Sequence, residues 1–144
     1  MGYSSYISSE QKLTFSRPLN ARETRDARTA IEGTSYLSWF FQLDITEDTV
    51  ETDEGTLTRT TAIGLITTGV EDKAYGLLDE LRSFFLNALP DDVTVTGYIE
   101  RIGEEWPDAE RLYATPDRHI VSVRPEIAWR SPEGNYESVK AYEA

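Results

Sequence analysis

Few residues in this chain are of a type that does chemistry. His119 is the one histidine, the side chain suited to moving protons near neutral pH. It follows Asp117-Arg118 in a turn-like stretch, where a solvated or structural role is the stronger expectation than catalysis. The 144 residues include no cysteine, which removes thiol nucleophiles, zinc–thiolate sites, iron–sulfur ligation and disulfides together. No G-x-S-x-G marks a serine nucleophile. The nine glycines never fall as G-x-G, and no G-x-x-x-x-G-K precedes a helix, so phosphate-cradling loops are missing as well. The sequence thus offers no catalytic, cofactor or metal residues, and reads as a non-enzymatic protein rather than an enzyme.

Three clusters remain as binding candidates. Residues 44–54 hold six carboxylates and no basic side chain. Their spacing fails the calcium-loop pattern, and strand alternation would send neighbouring side chains to opposite faces. A solvated hairpin tip or a protein-binding ribbon follows, carried by Glu47, Asp48, Glu51, Asp53 and Glu54. Arg22, Arg25 and Arg28 recur every three residues on one side of an expected helix, where they would clamp an anion or pair with Glu23, Asp26 and Glu32. Tyr36, Leu37, Trp39, Phe40 and Phe41 form the densest aromatic run. If it is a strand, alternation leaves Tyr36 and Phe40 outside, as a protein-binding pair beside the acidic ribbon or as a surface covered by helix or tail.

The elements that would position these residues follow from hydrophobic period. Residues 3–15 place Ile7, Leu13 and Phe15 at one parity, as in a strand facing a core. Asn20 and Glu23 have capping-box spacing, opening a helix over 20–32 that Gly33 stops. Residues 41–67 alternate on both sides of Asp53-Glu54-Gly55, as a hairpin does. Pairing Thr52 with Thr56 sets Leu43 opposite Leu65, Ile45 opposite Ile63 and Arg59 opposite Thr49. Val70, Ala74, Leu77, Leu78, Leu81, Phe84 and Phe85 trace one helical stripe up to Leu89-Pro90. A strand from Val93 to Ile102 follows, with Gly97 as a bulge position. A last hairpin spans Glu110 to Thr115 and His119 to Trp129 around Pro116-Asp117-Arg118.

This order predicts an α+β fold: a mainly antiparallel sheet with two helices on one face, a ferredoxin-like split β-α-β core and a C-terminal β-hairpin. Residues 1–130 read as a single domain, and 131–144 as a polar, flexible tail. The composition, 39% hydrophobic with three tryptophans (Trp39, Trp106 and Trp129), supplies a core without cross-links. The formal net charge is −12, and the acid excess lies beyond residue 34. That balance disfavours direct nucleic-acid or anionic-membrane binding and favours a basic protein partner. Without an export signal or a long apolar run, the expected address is cytoplasmic. Oligomeric state is left open.

Three stretches resemble a family of small proteins without assigned activity from actinobacteria and their bacteriophages. They are Met1-Gly2-Tyr3 with its strand and Pro18; Val50-Glu51-Thr52-Asp53-Glu54-Gly55-Thr56-Leu57 with Arg59 and Ala62; and Val123-Arg124-Pro125-Glu126-Ile127-Ala128-Trp129. The family places a tryptophan soon after the proline, where this chain has Leu19-Asn20-Ala21-Arg22. The resemblance implies a bacterial or phage-infected host cytoplasm and carries over no site residue. The function expected is that of a small acidic accessory protein, phage-encoded on this resemblance, that binds a host or phage protein. The alternatives are a DNA mimic inhibiting a DNA-binding protein, an enzyme or small-molecule binder with a fold-assembled site, and a structural or assembly component.

Overall fold

The computed structural model describes residues 3–8, 12–105, 107–126 and 128–138. Residues 9–11 of the expected first strand, Trp106, and 139–144 of the expected tail lie outside them. In chain order the elements begin with β1 (Ser5–Ile7), β2 (Lys12–Phe15), α1 (Ala21–Glu32), a single helical turn α2 (Leu37–Phe40), β3 (Phe41–Thr52) and β4 (Gly55–Thr67). They continue with β5 (Glu71–Asp72), α3 (Leu77–Ser83) running into a π-helical turn (Phe84–Ala88), β6 (Val95–Gly103), β7 (Ala109–Ala114), β8 (Ile120–Val123), β9 (Ala128–Arg130) and β10 (Tyr136–Ser138).

Eight strands make one sheet, and every pairing in it is antiparallel. β1 and β2 lie in succession along one side of β6; on their far side β2 pairs with β4 and β1 with β5. β3 pairs with β4 and forms one edge, while β7 and β8 continue the sheet beyond β6 to the other. The class is therefore α+β around a mainly antiparallel sheet. Alternation accounts for the core: Ile7, Leu13, Phe15, Leu43, Leu65, Val95, Ile99 and Leu112 are all buried, and join Ala27 and Ile31 of α1 and Leu77, Leu81, Phe84 and Phe85 in one cluster. Gly97 has φ +109°, and a Cβ there would lie 2.6 Å from the Lys12 carbonyl, so this position admits little but glycine.

The helix termini show why the elements start where they do. Asn20 accepts from the Glu23 N–H, and the Glu23 carboxylate accepts from the Asn20 N–H, completing the capping box of α1. The buried Thr24 hydroxyl accepts from the Ala62 N–H at 3.1 Å and ties the helix to β4. The second helix is shorter than its apolar stripe predicts. Glu71 and Asp72 pair with Tyr6 and Ser5, so the chain is extended there, Val70 is exposed, and α3 opens at Leu77. At its other end the wider π turn brings both Phe84 and Phe85 inward. Arg118 donates to the Phe85 and Leu89 carbonyls, tying the β7–β8 turn to this helix end.

The β3–β4 hairpin differs from the expected register in two ways. Thr52 faces Gly55 across a two-residue turn, and a bulge shifts the pairing between Asp44 and Ile45. Leu43 faces Leu65 as expected, but Ile45 faces Ala62, and Arg59 faces Asp48 instead of Thr49. Within the stretch expected as a polar tail, Tyr136–Ser138 (β10) pairs with β9 as a separate two-stranded ribbon around a 131–135 turn.

Candidate protein-binding surface

β3 and β4 pair over their full length, yet among the described residues β2 lines β4 at Ile66, Leu65 and Gly64 alone. Beyond that the hairpin leaves the body as a two-stranded arm, and residues 47–59 are exposed throughout. The pattern explains the departure. On the face shared with the helices, Leu43 and Ile45 are succeeded by Glu47, Thr49 and Glu51, with Thr60, Thr58 and Thr56 opposite. Nothing apolar remains there to hold a helix, so coverage stops and the arm projects. Its other face carries Asp48 opposite Arg59, Val50 opposite Leu57, and Thr52 opposite Gly55.

The arm's chemistry is therefore two-sided. One face offers two glutamates on a bed of threonines. The other offers an apolar pair, with Leu57 60% exposed, beside the Asp48–Arg59 ion pair at 3.1 Å. Asp53 and Glu54 sit at the tip. The outer edge of β3 has no strand against it among the described residues, which leaves its backbone groups free to accept another chain. The apolar Val50–Leu57 pair went unnoticed in sequence because Val50 is flanked by Thr49 and Glu51 and Leu57 by Thr56 and Thr58. The carboxylates divide between two faces and the tip, so the arm holds no single row of the kind DNA mimicry requires.

The aromatic candidates do not join this surface. Residues 37–40 form a helical turn, so side chains rotate about the axis instead of alternating. Phe40 is consequently 1% exposed, packed with Leu37 and Phe41, and has no part in docking. Tyr36 is half-buried: its ring covers Gly76, where a Cβ would lie 2.7 Å from it. Trp39 is the aromatic that faces out, at 44% exposure, edge-on to Tyr36 at 5.8 Å between centroids. Glu80 fixes the turn by accepting from the Ser35, Tyr36 and Leu37 N–H groups. The cluster also stands at the opposite end of β3 from the arm, ~20 Å away at 3.3 Å per residue.

Arg22, Arg25 and Arg28 are exposed along α1. Among the described residues none is in an ion pair with the helix acids. Glu23 is held instead by Arg17 at 2.8 Å, which also grips Asp92 at 2.8 Å. Arg17 is the main reason the Glu23 and Asp92 carboxyls sit below their ordinary range. Arg28, with Glu32, borders a groove of about 300 Å³ lined by Ile31, Phe41, Leu43 and Ile45, so this end of the row flanks β3.

A different acidic cluster, which the sequence reading passed over, is built into the body. Arg101 is 9% exposed. It donates to Asp108 at 2.7 Å, Glu110 at 2.7 Å and the Ser5 hydroxyl at 2.9 Å. The Tyr3 hydroxyl donates to Asp108 at 2.6 Å and accepts from the Glu105 N–H; Ser122 donates to Glu110 at 2.6 Å. The Arg101 guanidinium holds the Asp108 carboxyl down at about 2 against the opposing effect of burial. Burial pushes Glu110 up, but hydrogen bonds from Ser122 and Arg101 outweigh it and leave the group lowered. A signal existed: Arg101 shares the inward parity of Ile99, and only a paired charge survives there.

An enzymatic site finds little material. The groove of about 450 Å³ between α1 and the π turn is lined by Glu23, Asp26, Glu80 and Phe84. Arg17 already holds the first of these acids, and backbone N–H groups hold Glu80. His119 is exposed, 3.8 Å from Asp117. Among the described residues no three His, Cys, Asp or Glu converge on a metal position, and no helix is long and apolar enough to cross a membrane. No family model, curated protein or solved structure matches the chain.

Proposed function

We propose that this chain is a non-enzymatic binding protein whose β3–β4 arm engages a protein partner with a basic surface. One observation carries the reading: the arm projects with both faces exposed, an open strand edge and five carboxylates against a single arginine. Charges left in water keep their long-range field, which speeds encounter with a basic partner and makes binding salt-sensitive. The apolar Val50–Leu57 pair supplies what charge alone does not, a surface that gains by leaving water.

The finer reading of the scaffold belongs to the same proposal. The order β3-β4-β2-β6, connected through α1 and α3, supports a ferredoxin-like core extended by β7 and β8. The resemblance of the arm sequence to small actinobacterial and phage proteins supports an accessory role in a bacterial or phage-infected cytoplasm.

The test is affinity capture from a bacterial lysate with the wild-type chain and with a Glu47→Lys, Glu51→Lys, Leu57→Ser variant. The proposal expects a basic protein that is retained at low salt, released at high salt and missing from the variant. Equal retention by both chains overturns it.

A further inference from the structure

We infer that one basic surface met by the arm is the arginine row of α1 in a second copy of this chain, so that two copies exchange arms. This rests on the arm being a binding element and adds self-association to what it binds. Four observations support it. First, Arg22, Arg25 and Arg28 are exposed and, among the described residues, in no ion pair: Arg17 takes Glu23, and neither Asp26, which lines the groove toward Phe84 and Leu89, nor Glu32, which borders the same groove as Arg28, pairs with them. Second, Arg28 borders the groove beside Gln42, Leu43 and Ile45, which puts the C-terminal end of the row on the flank of the strand that becomes the arm, with Arg25 and Arg22 turning from it toward solvent.

Third, the helix-side face of the arm matches such a row. Glu47 and Glu51 are spaced along a surface of Thr49, Thr56, Thr58 and Thr60, all acceptors for the donors of an arginine fork. Arg22 to Arg28 rises ~9 Å along a helix, and Glu47 to Glu51 ~13 Å along a strand, a mismatch that long arginine side chains span. Fourth, the Arg28 end of the row and the arm root share one flank, so a two-fold axis beside β3 lays each arm on the other copy's row, and the assembly closes as a dimer. Direct pairing of the two β3 edges is the less favourable alternative, since it sets Asp44, Glu47, Asp48 and Glu51 of both copies against one another.

The net charge of −12 on each copy opposes approach. At ~0.15 M salt the Debye length is ~8 Å, so that repulsion is muted while ion pairs in contact still attract. Dimerisation is accordingly strongest at intermediate ionic strength, weakened by repulsion at low salt and by screening of the contacts at high salt.

Sedimentation equilibrium of the full chain tests this with two charge-reversed variants, one carrying Glu47→Lys and Glu51→Lys, the other Arg22→Glu, Arg25→Glu and Arg28→Glu. The wild type is expected to dimerise, each variant alone to dimerise about tenfold or more weakly, and an equimolar mixture to recover wild-type association, because both contacts are then complementary again. Circular dichroism and denaturant midpoints verify that both variants fold. A wild type that stays monomeric, a dimer indifferent to either variant, or a mixture no better than its components overturns the inference. If the wild type is monomeric while the lysate partner is still lost on reversing the arm, the arm reading stands and only the self-association falls. If reversing the arm changes neither assay, both fall.

Discussion

The arm and the Arg101 cluster use the same side chains in opposite ways. Around Arg101 the half-buried carboxylates of Asp108 and Glu110 are satisfied by its guanidinium and by the hydroxyls of Tyr3 and Ser122, while the guanidinium also donates to Ser5. Along the arm, one ion pair spans the strands and the remaining acids face solvent. Buried charges bind the fold together because losing one strands the others. Exposed charges add little to folding but retain a field that a partner can meet. A chain this acidic thus divides its carboxylates between holding the body and addressing the outside.

The largest expected effect separates the two regions. Arg101→Ala leaves Glu110 without its cation and Asp108 with only the exposed Arg124 at 3.4 Å, and its cost in denaturant unfolding is expected at about 3 kcal/mol. A neutral result would mean the cluster is solvated and the contrast false. Phe40→Ala is expected to cost a comparable ~3 kcal/mol, as a buried aromatic does. A cost within ~0.5 kcal/mol would return Phe40 to the surface, where the alternation argument put it.

Acid unfolding sharpens the comparison. Asp108 is lowered from 3.8 to about 2 in the folded protein. A carboxyl depressed on folding stabilises the protein fully above its unfolded value, and that contribution is lost as pH falls from about 4 through about 2. Stability measured across this window should therefore decline less steeply in Asp108→Asn than in the wild type. The smallest effect belongs to the arm: Val50→Ser with Leu57→Ser should change unfolding free energy by no more than ~0.5 kcal/mol while weakening partner capture. A large loss of stability would make the arm part of the fold.

What was legible in the sequence was local. The capping box at Asn20 and Glu23, the inward parity of Ile7, Leu13 and Phe15, and the Leu43–Leu65 pair each depend on neighbours or on a single strand pairing. What failed depended on distant segments. Val70 and Ala74 continue a helical stripe, yet β1 captures the intervening backbone as β5. Phe40 turned inward because Glu80, forty residues on, caps a helical turn where a strand was expected. The arm was foreseen as an acidic hairpin, but its projection depends on where β2 stops covering β4. The arginine row was open to clamping an anion or to pairing with Glu23, Asp26 and Glu32, and sequence spacing could not show that Arg17 takes Glu23.

The central claim is that the arm is a free ribbon, held by its own ladder alone and marginal on that account. Residue-resolved hydrogen exchange in dilute solution tests it most directly. The account predicts that backbone amides of residues 47–59 open with little free energy, while those of β6 exchange only near global unfolding. Arm amides protected as strongly as those of β6 would contradict it.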